Sequence, residues 1–167
     1  MPGVPFASTR WDQIIPNLTM GGHDWNNAEN IWDSDVILTD EFDVVFSLFR
    51  RVGHGPDEGV EHHMLRIPDG FLTDTDVQGV RQLADLAEAA VRAQRRTMVR
   101  CQAGYNRSGL VVAFTLLRLG YSASDAIDLI REKRSLLALH NVHFVSLIFA
   151  EAVRLGRESA AADPVAV

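Results

Sequence analysis

Apolar residues along this chain change their spacing in a way that separates strands from helices. Phe42-Asp43-Val44-Val45-Phe46-Ser47-Leu48-Phe49 is a near-continuous β-branched and aromatic run, the pattern of a strand covered on both faces. Thr97 to Cys101 reads as a strand, and His62 to Ile67 as another that hands over to the turn Pro68-Asp69-Gly70. Trp11 to Met20 alternates weakly and predicts an edge strand or hairpin, Pro16 keeping it off the centre of a sheet, with Gly21-Gly22 as its end. Helical spacing takes over elsewhere. Val80, Leu83, Leu86, Ala87, Ala90 and Val91 share one face behind a capping-box pattern at Thr75-x-x-Gln78. A helix from Arg107 to Leu119 closes at Gly120, one capped by Ser122 runs to Arg134, and one capped by Asn141 runs to Leu155. Asp24 to Trp32 suits a short helix, while Asp33 to Glu41, around Val36-Ile37-Leu38, suits strand and buried helix equally. Arg50 to Glu61, with its glycines and Pro56, is a loop.

Strands interspersed with helices predict an α/β fold: a single domain with a four- to five-stranded, mainly parallel sheet covered by helices. Residues 1–9 form a loose lead-in, 10–156 the domain and 157–167 a small-residue tail.

Candidate chemistry gathers where the last strand meets its helix. Val99-Arg100-Cys101-Gln102-Ala103-Gly104-Tyr105-Asn106-Arg107-Ser108-Gly109 runs from an apolar strand through a small polar loop into a helix N-terminus. Amides between Cys101 and Arg107 can turn inward and join the first unpaired N–H groups of the helix, which makes an anion cradle. It belongs at the C-terminal edge of the sheet. A thiolate is a strong nucleophile, and such amide rings favour the ionised form. The planar fork of Arg107 can take two phosphate oxygens and tightens as charge develops during transfer. Gly104 is expected to turn the backbone where a side chain would crowd the oxyanion.

The spacing Cys101-x5-Arg107-Ser108, with Gly104 inside it, resembles the signature loop of the cysteine-dependent protein phosphatases, in particular the small dual-specificity branch. Ile14-Ile15-Pro16-Asn17-Leu18 before Gly21-Gly22, the strand Phe42 to Leu48, and Asn141-x-x-Phe144 are similar to other segments of that family. The resemblance implies a metal-independent protein phosphatase without cofactor, acting on phosphotyrosine, and on phosphoserine or phosphothreonine if its site is shallow, through a phosphocysteine. It implies Cys101 as nucleophile, Arg107 as phosphate clamp, and Gln102, Ala103, Gly104, Tyr105 and Asn106 as the amide ring. Ser108 would assist departure of the thiolate, and a loop carboxylate would protonate the leaving oxygen and then activate water. Asp69 is the first choice for that acid, with Asp74 and Asp76 as competitors on the same segment. Asn141 either braces the phosphate loop or is a plain N-cap. One departure stands out: the family's histidine before the cysteine is Arg100 here. A cation there can favour the thiolate, but if it points away across the strand its bracing of the loop is lost. That departure keeps alive a second reading, a non-catalytic module that captures phosphopeptides. A third, hydrolysis of phosphoinositides or other small phosphates, is disfavoured by a loop interior without lysine.

Composition narrows the setting. The chain of 167 residues with a net charge of −6 suits one soluble domain and disfavours nucleic acid or an anionic membrane as partner. A single cysteine excludes an intramolecular disulfide and a Cys-rich zinc site. With no signal-peptide pattern and no apolar run long enough to span a bilayer, a reducing cytoplasmic location is expected. His62 and His63, adjacent on a strand, face opposite ways and are not read as a metal site. His140 and His143 are read as surface residues, and Trp11, Trp25 and Trp32 as packing.

Overall fold

The computed structural model describes residues 4–26 and 41–156. The expected helix from Asp24 to Trp32 lies mostly outside the described residues, as do nearly all of 33–41 and the tail. Strands β1 (Trp11–Ile15) and β2 (Leu18–Gly22) form an antiparallel hairpin. Pro16 sits in its turn, where a missing N–H costs no ladder bond, and Asn17 takes the left-handed conformation with φ 65°. Only β1 is an edge. β2 lies inside the sheet, parallel to the later strand β5 (Thr97–Cys101). With β3 (Val44–Ser47) and β4 (Glu61–Met64) the order is β1-β2-β5-β3-β4, and every pairing beyond the hairpin is parallel.

β3 and β5 are buried at every position, Ser47, Thr97 and Arg100 included. β4 is an exposed edge and stops at Met64, short of the expected Ile67. Its one partner, β3, ends at Ser47, whose carbonyl accepts a last bond from Leu65 N at 3.0 Å. His62 and His63 point to opposite faces: His62 Nε2 meets Ser47 Oγ at 2.9 Å, and the His63 ring stacks on Phe46 at 5.0 Å.

Helix α1 (Asp74–Arg92) corrects the expected cap. Its N-cap is Thr73: Asp76 N donates to Thr73 Oγ1 at 3.2 Å and Thr73 N donates to Asp76 Oδ2 at 2.9 Å. Thr75 and Gln78 lie inside the helix, because a carboxylate three residues after the cap both closes the box and offsets the positive helix end. Helices α2 (Arg107–Arg118), α3 (Ala123–Lys133) and α4 (Val142–Arg154) begin at the expected residues, the last two behind Ser122 and Asn141. α2 is buried from Ser108 to Arg118 and packs with α1, α4, Val99 and Phe46 in the main core. Glu151 of α4, fully buried, gathers Arg81 of α1, Arg118 of α2 and Arg154. The opposite sheet face carries a smaller cluster of Phe42, Val45 and Met98, against which Trp11 and Trp25 pack.

Candidate active site

β5 ends at Cys101 and α2 begins at Arg107, so residues 102–106 must turn the chain from a strand into a helix. Six consecutive carbonyls along this turn are held from outside. Those of Cys101 and Gln102 accept from His23 N and Asp24 N, each at 2.9 Å. Those of Ala103 and Gly104 accept from the Arg134 guanidinium at 3.4 and 3.1 Å. Tyr105 O accepts from Leu139 N at 3.3 Å, and Asn106 O from Leu110 N at 2.8 Å. In a trans peptide the N–H opposes the preceding carbonyl, so the N–H groups of Gln102 to Arg107 face the interior of the turn. Among the described residues, none of them donates to a protein acceptor. The amides that the sequence offered as an anion cradle are thus unspent among the described residues.

Cys101, 2% exposed, sits at the base of this ring with Ser108 Oγ 3.3 Å from its Sγ. Arg107 stands at the opposite rim, its guanidinium 5.2 Å above the Phe49 ring. Its Nε is buried and meets no hydrogen-bond partner among the described residues. A buried, unsatisfied cationic donor costs free energy until an acceptor arrives. The loop amides, the thiol and this fork come together where β5 passes into α2.

Gly104 turns the backbone at φ +70°, as expected, and it also permits a close packing: an added Cβ would strike the backbone of Gly21 and Gly22 at 2.5–2.7 Å. From the other side, a Cβ on Gly22 would meet Ala103 C, Gln102 O and Gly104 N at 2.6–2.7 Å. The end of β2 and the loop thus pack backbone against backbone.

Asp69 reaches the loop. Its Oδ2 accepts from Asn106 Nδ2 at 3.2 Å and its Oδ1 from Asn141 Nδ2 at 3.3 Å. Asp74 and Asp76 lie in the first turn of α1, with Asp76 spent on Thr73. Both readings of Asn141 hold at once: its Oδ1 caps α4 by accepting from His143 N at 3.0 Å, and its own N donates to Asn106 Oδ1 at 3.1 Å. His140 is exposed, as expected, yet its Nε2 lies 3.0 Å from Asn106 Nδ2. Tyr105 turns into the protein, its hydroxyl donating to Pro5 O at 2.9 Å.

Arg100 does cross to the other face of β5. It donates to Ser47 Oγ at 3.0 Å and to His54 O and Gly55 O at 2.8 and 2.7 Å. Its bracing is redirected, not lost, because it ties down the 48–60 segment that carries Phe49 beneath Arg107. Burial lowers its pKa to about 10. Burial and then the Arg100 cation push His23 down to about 3. Its ring is therefore neutral, with Nε2 donating to Phe49 O at 3.1 Å. Sequence reading missed Arg134, which also pairs with Asp12 at 2.7 Å, and Asp24, which receives Gln102 Nε2 at 3.4 Å and ion-pairs with Arg51. Neither residue carries a local pattern that marks it.

The family model of the dual specificity phosphatase catalytic domain matches residues 33–152. Among solved structures, human DUSP28 is similar with a TM-score of 0.72 at 21% identity, over 92% of this chain and 99% of that one. Tk-PTP in its active form gives 0.65 at 24% identity, over 87% and 97%. PTPMT1 in complex with PI(5)P gives 0.66 at 15% identity, over 90% and 99%. No curated protein sequence matches the chain.

Proposed function

Because the chain belongs to the dual specificity phosphatase catalytic-domain family, we propose that it is a metal-independent phosphatase that hydrolyses phosphotyrosine, and phosphoserine or phosphothreonine besides, in phosphorylated proteins or peptides. The observation that carries this reading is the loop itself: carbonyls tied outward, amides unspent, and a buried Arg107 Nε without a partner. A dianionic monoester satisfies all of these donors together, and its phosphorus then lies over Cys101.

The Cys101 thiolate attacks phosphorus, forming the S–P bond as the P–O bond to the leaving group breaks. Asp69 gives its proton to the departing oxygen. The amides and Arg107 hold the three equatorial oxygens, where charge gathers. Water then attacks the phosphocysteine, Asp69 takes its proton, and the sulfur leaves as thiolate, receiving a hydrogen bond from Ser108 Oγ. A lone reactive thiol suits a reducing compartment such as the cytoplasm.

Purified protein assayed on aryl phosphates and phosphotyrosine peptides tests this. Cys101→Ser should abolish turnover and still retain a phosphopeptide. Asp69→Asn should lower kcat far more for a poor leaving group than for a good one. Wild-type protein that binds phosphopeptide but turns over no aryl phosphate would make the chain a phosphopeptide reader instead. A strong rate preference for inositol phosphates would replace the protein substrate.

A further inference from the structure

Asn106 faces two ways. Its backbone N–H belongs to the amide ring, while its side chain, 3% exposed, lies at the centre of a polar cluster on the outer side of the loop. The orientation of that amide is fixed by its neighbours. Asn141 N can only donate, so Oδ1 must face it, at 3.1 Å. The Nδ2 group then points at Asp69 Oδ2, 3.2 Å away, and at His140 Nε2, 3.0 Å away. Leu137 O can only accept, and it lies 2.9 Å from His140 Nδ1. His140 must therefore carry its proton on Nδ1 and offer the Nε2 lone pair to Asn106. Only one tautomer and one amide orientation satisfy all four partners.

We propose that the Asn106 side chain is a positioning residue that holds Asp69 over the phosphate loop, and that neutral His140 sets which way its amide faces. The proposal rests on the reading of Asp69 as acid and base given above. The cluster borders a cavity of about 340 Å³ that Gly70, Phe71 and His143 also line. Protonated His140 would set an N–H against the Asn106 NH2. If the amide turned to relieve that contact, its NH2 would oppose Asn141 N–H and its oxygen would oppose the Asp69 carboxylate. Asp69 would lose one of its two holds, keeping only Asn141 Nδ2. The other titratable groups facing His140 here are Tyr105, edge-on at 6.4 Å, and His143, which stacks on Phe71 at 3.8 Å.

Two variants and two substrates separate positioning from mere support of the fold. Asn106→Ala removes the cluster. Asn106→Asp keeps the acceptor for Asn141 N but sets a carboxylate against Asp69. General acid catalysis is worth about 10²–10⁴ where the leaving group needs a proton. Both variants should therefore lower kcat on phenyl phosphate by about tenfold or more beyond whatever loss they cause on 2,4-dinitrophenyl phosphate. In an Asp69→Asn background the same changes should add no further dependence on the leaving group. If Asp69→Asn shows the leaving-group dependence and the Asn106 variants do not, or if their losses are equal on both substrates, the positioning role is wrong while the acid stands. If Asp69→Asn itself shows none, the acid assignment fails and this inference falls with it. Nitrogen-15 NMR of the His140 ring in the wild-type protein probes the same cluster independently of turnover: the Nδ1–H tautomer is required, and Nε2–H would overturn the proposal.

Discussion

Gly22→Ala tests the geometry of the loop without touching its sequence. The new Cβ would stand 2.6–2.7 Å from Ala103 C, Gln102 O and Gly104 N, where ordinary contact begins at 3.4 Å. These atoms are backbone, and no side chain can swing aside, so β2 and the loop must separate by about 0.8 Å. That separation would stretch the two bonds that fasten them, His23 N to Cys101 O and Asp24 N to Gln102 O, from 2.9 Å to beyond hydrogen-bond range. Losing two backbone bonds at about 1 kcal/mol each, with overpacking strain of about 1–3 kcal/mol, predicts a destabilisation of roughly 3–5 kcal/mol. For a domain of this size that lowers Tm by about 6–20 °C. Activity should fall further than stability, because loop amides moved off a developing oxyanion each cost about 10²–10³ in rate. Differential scanning fluorimetry, with and without vanadate, and kcat/KM on an aryl phosphate read both effects. A variant with wild-type Tm, vanadate stabilisation and rate would refute the backbone-to-backbone packing.

Arg134→Met removes the guanidinium that holds Ala103 O, Gly104 O and Asp12 together. Breaking such a buried set should cost about 3–5 kcal/mol in urea unfolding, with weaker vanadate binding; a midpoint unchanged from wild type would contradict it. Glu151→Gln should cost about 3–5 kcal/mol at neutral pH for the same reason. Burial pushes the Glu151 carboxyl up, but hydrogen bonds from Arg154 and Arg81 outweigh it and hold the pKa below the ordinary 4.5. Its contribution is thus complete above that value and is lost as pH falls through the folded pKa, so the gap between variant and wild type should close in acid; a constant gap down to pH 3 would count against it. His23 has the same sign over a higher pH range. Neutral in the fold until about pH 3, it is protonated in the unfolded chain below its ordinary value of 6.5. The wild type should therefore lose up to about 1.4 kcal/mol per pH unit between these limits. His23→Gln should lack that slope, and parallel stability curves for the two proteins would show the ring to be protonated in the native state.

The parts of this fold that were legible in the sequence are those whose signals are local. β3 and β5 appear as short runs rich in apolar residues, and Ser122 and Asn141 announce their helices within one turn. The phosphate loop lies in a single stretch from Cys101 to Ser108, so its amides and guanidinium need no distant partner to be recognised. What escaped depends on residues far apart in the chain. Arg134 at the end of α3 reaches Thr9 and Asp12, and nothing around it in sequence marks it as the anchor of a loop thirty residues earlier. The cap at Thr73 lost to Thr75 because two hydroxyls with polar residues three positions on follow each other, and only the carboxylate of Asp76 settles which one closes. The close approach of Gly104 to Gly21 and Gly22 was not legible because β2 is the sheet neighbour of β5 but lies far earlier in the chain.

The two sides of β5 explain how the site tolerates Arg100. Cys101 faces the helices and Arg100 the opposite layer, so they act on different segments from adjacent positions. Arg100 spends its donors on Ser47 Oγ, His54 O and Gly55 O, which pins both ends of the stretch that bears Phe49. Phe49 in turn underlies the Arg107 guanidinium and accepts from His23, while the backbone of His23 holds Cys101 O. The departure from the family's histidine therefore closes a circuit rather than breaking one: the cation at 100 positions the platform of the phosphate clamp, and the clamp and the thiol are joined through His23 to that same platform.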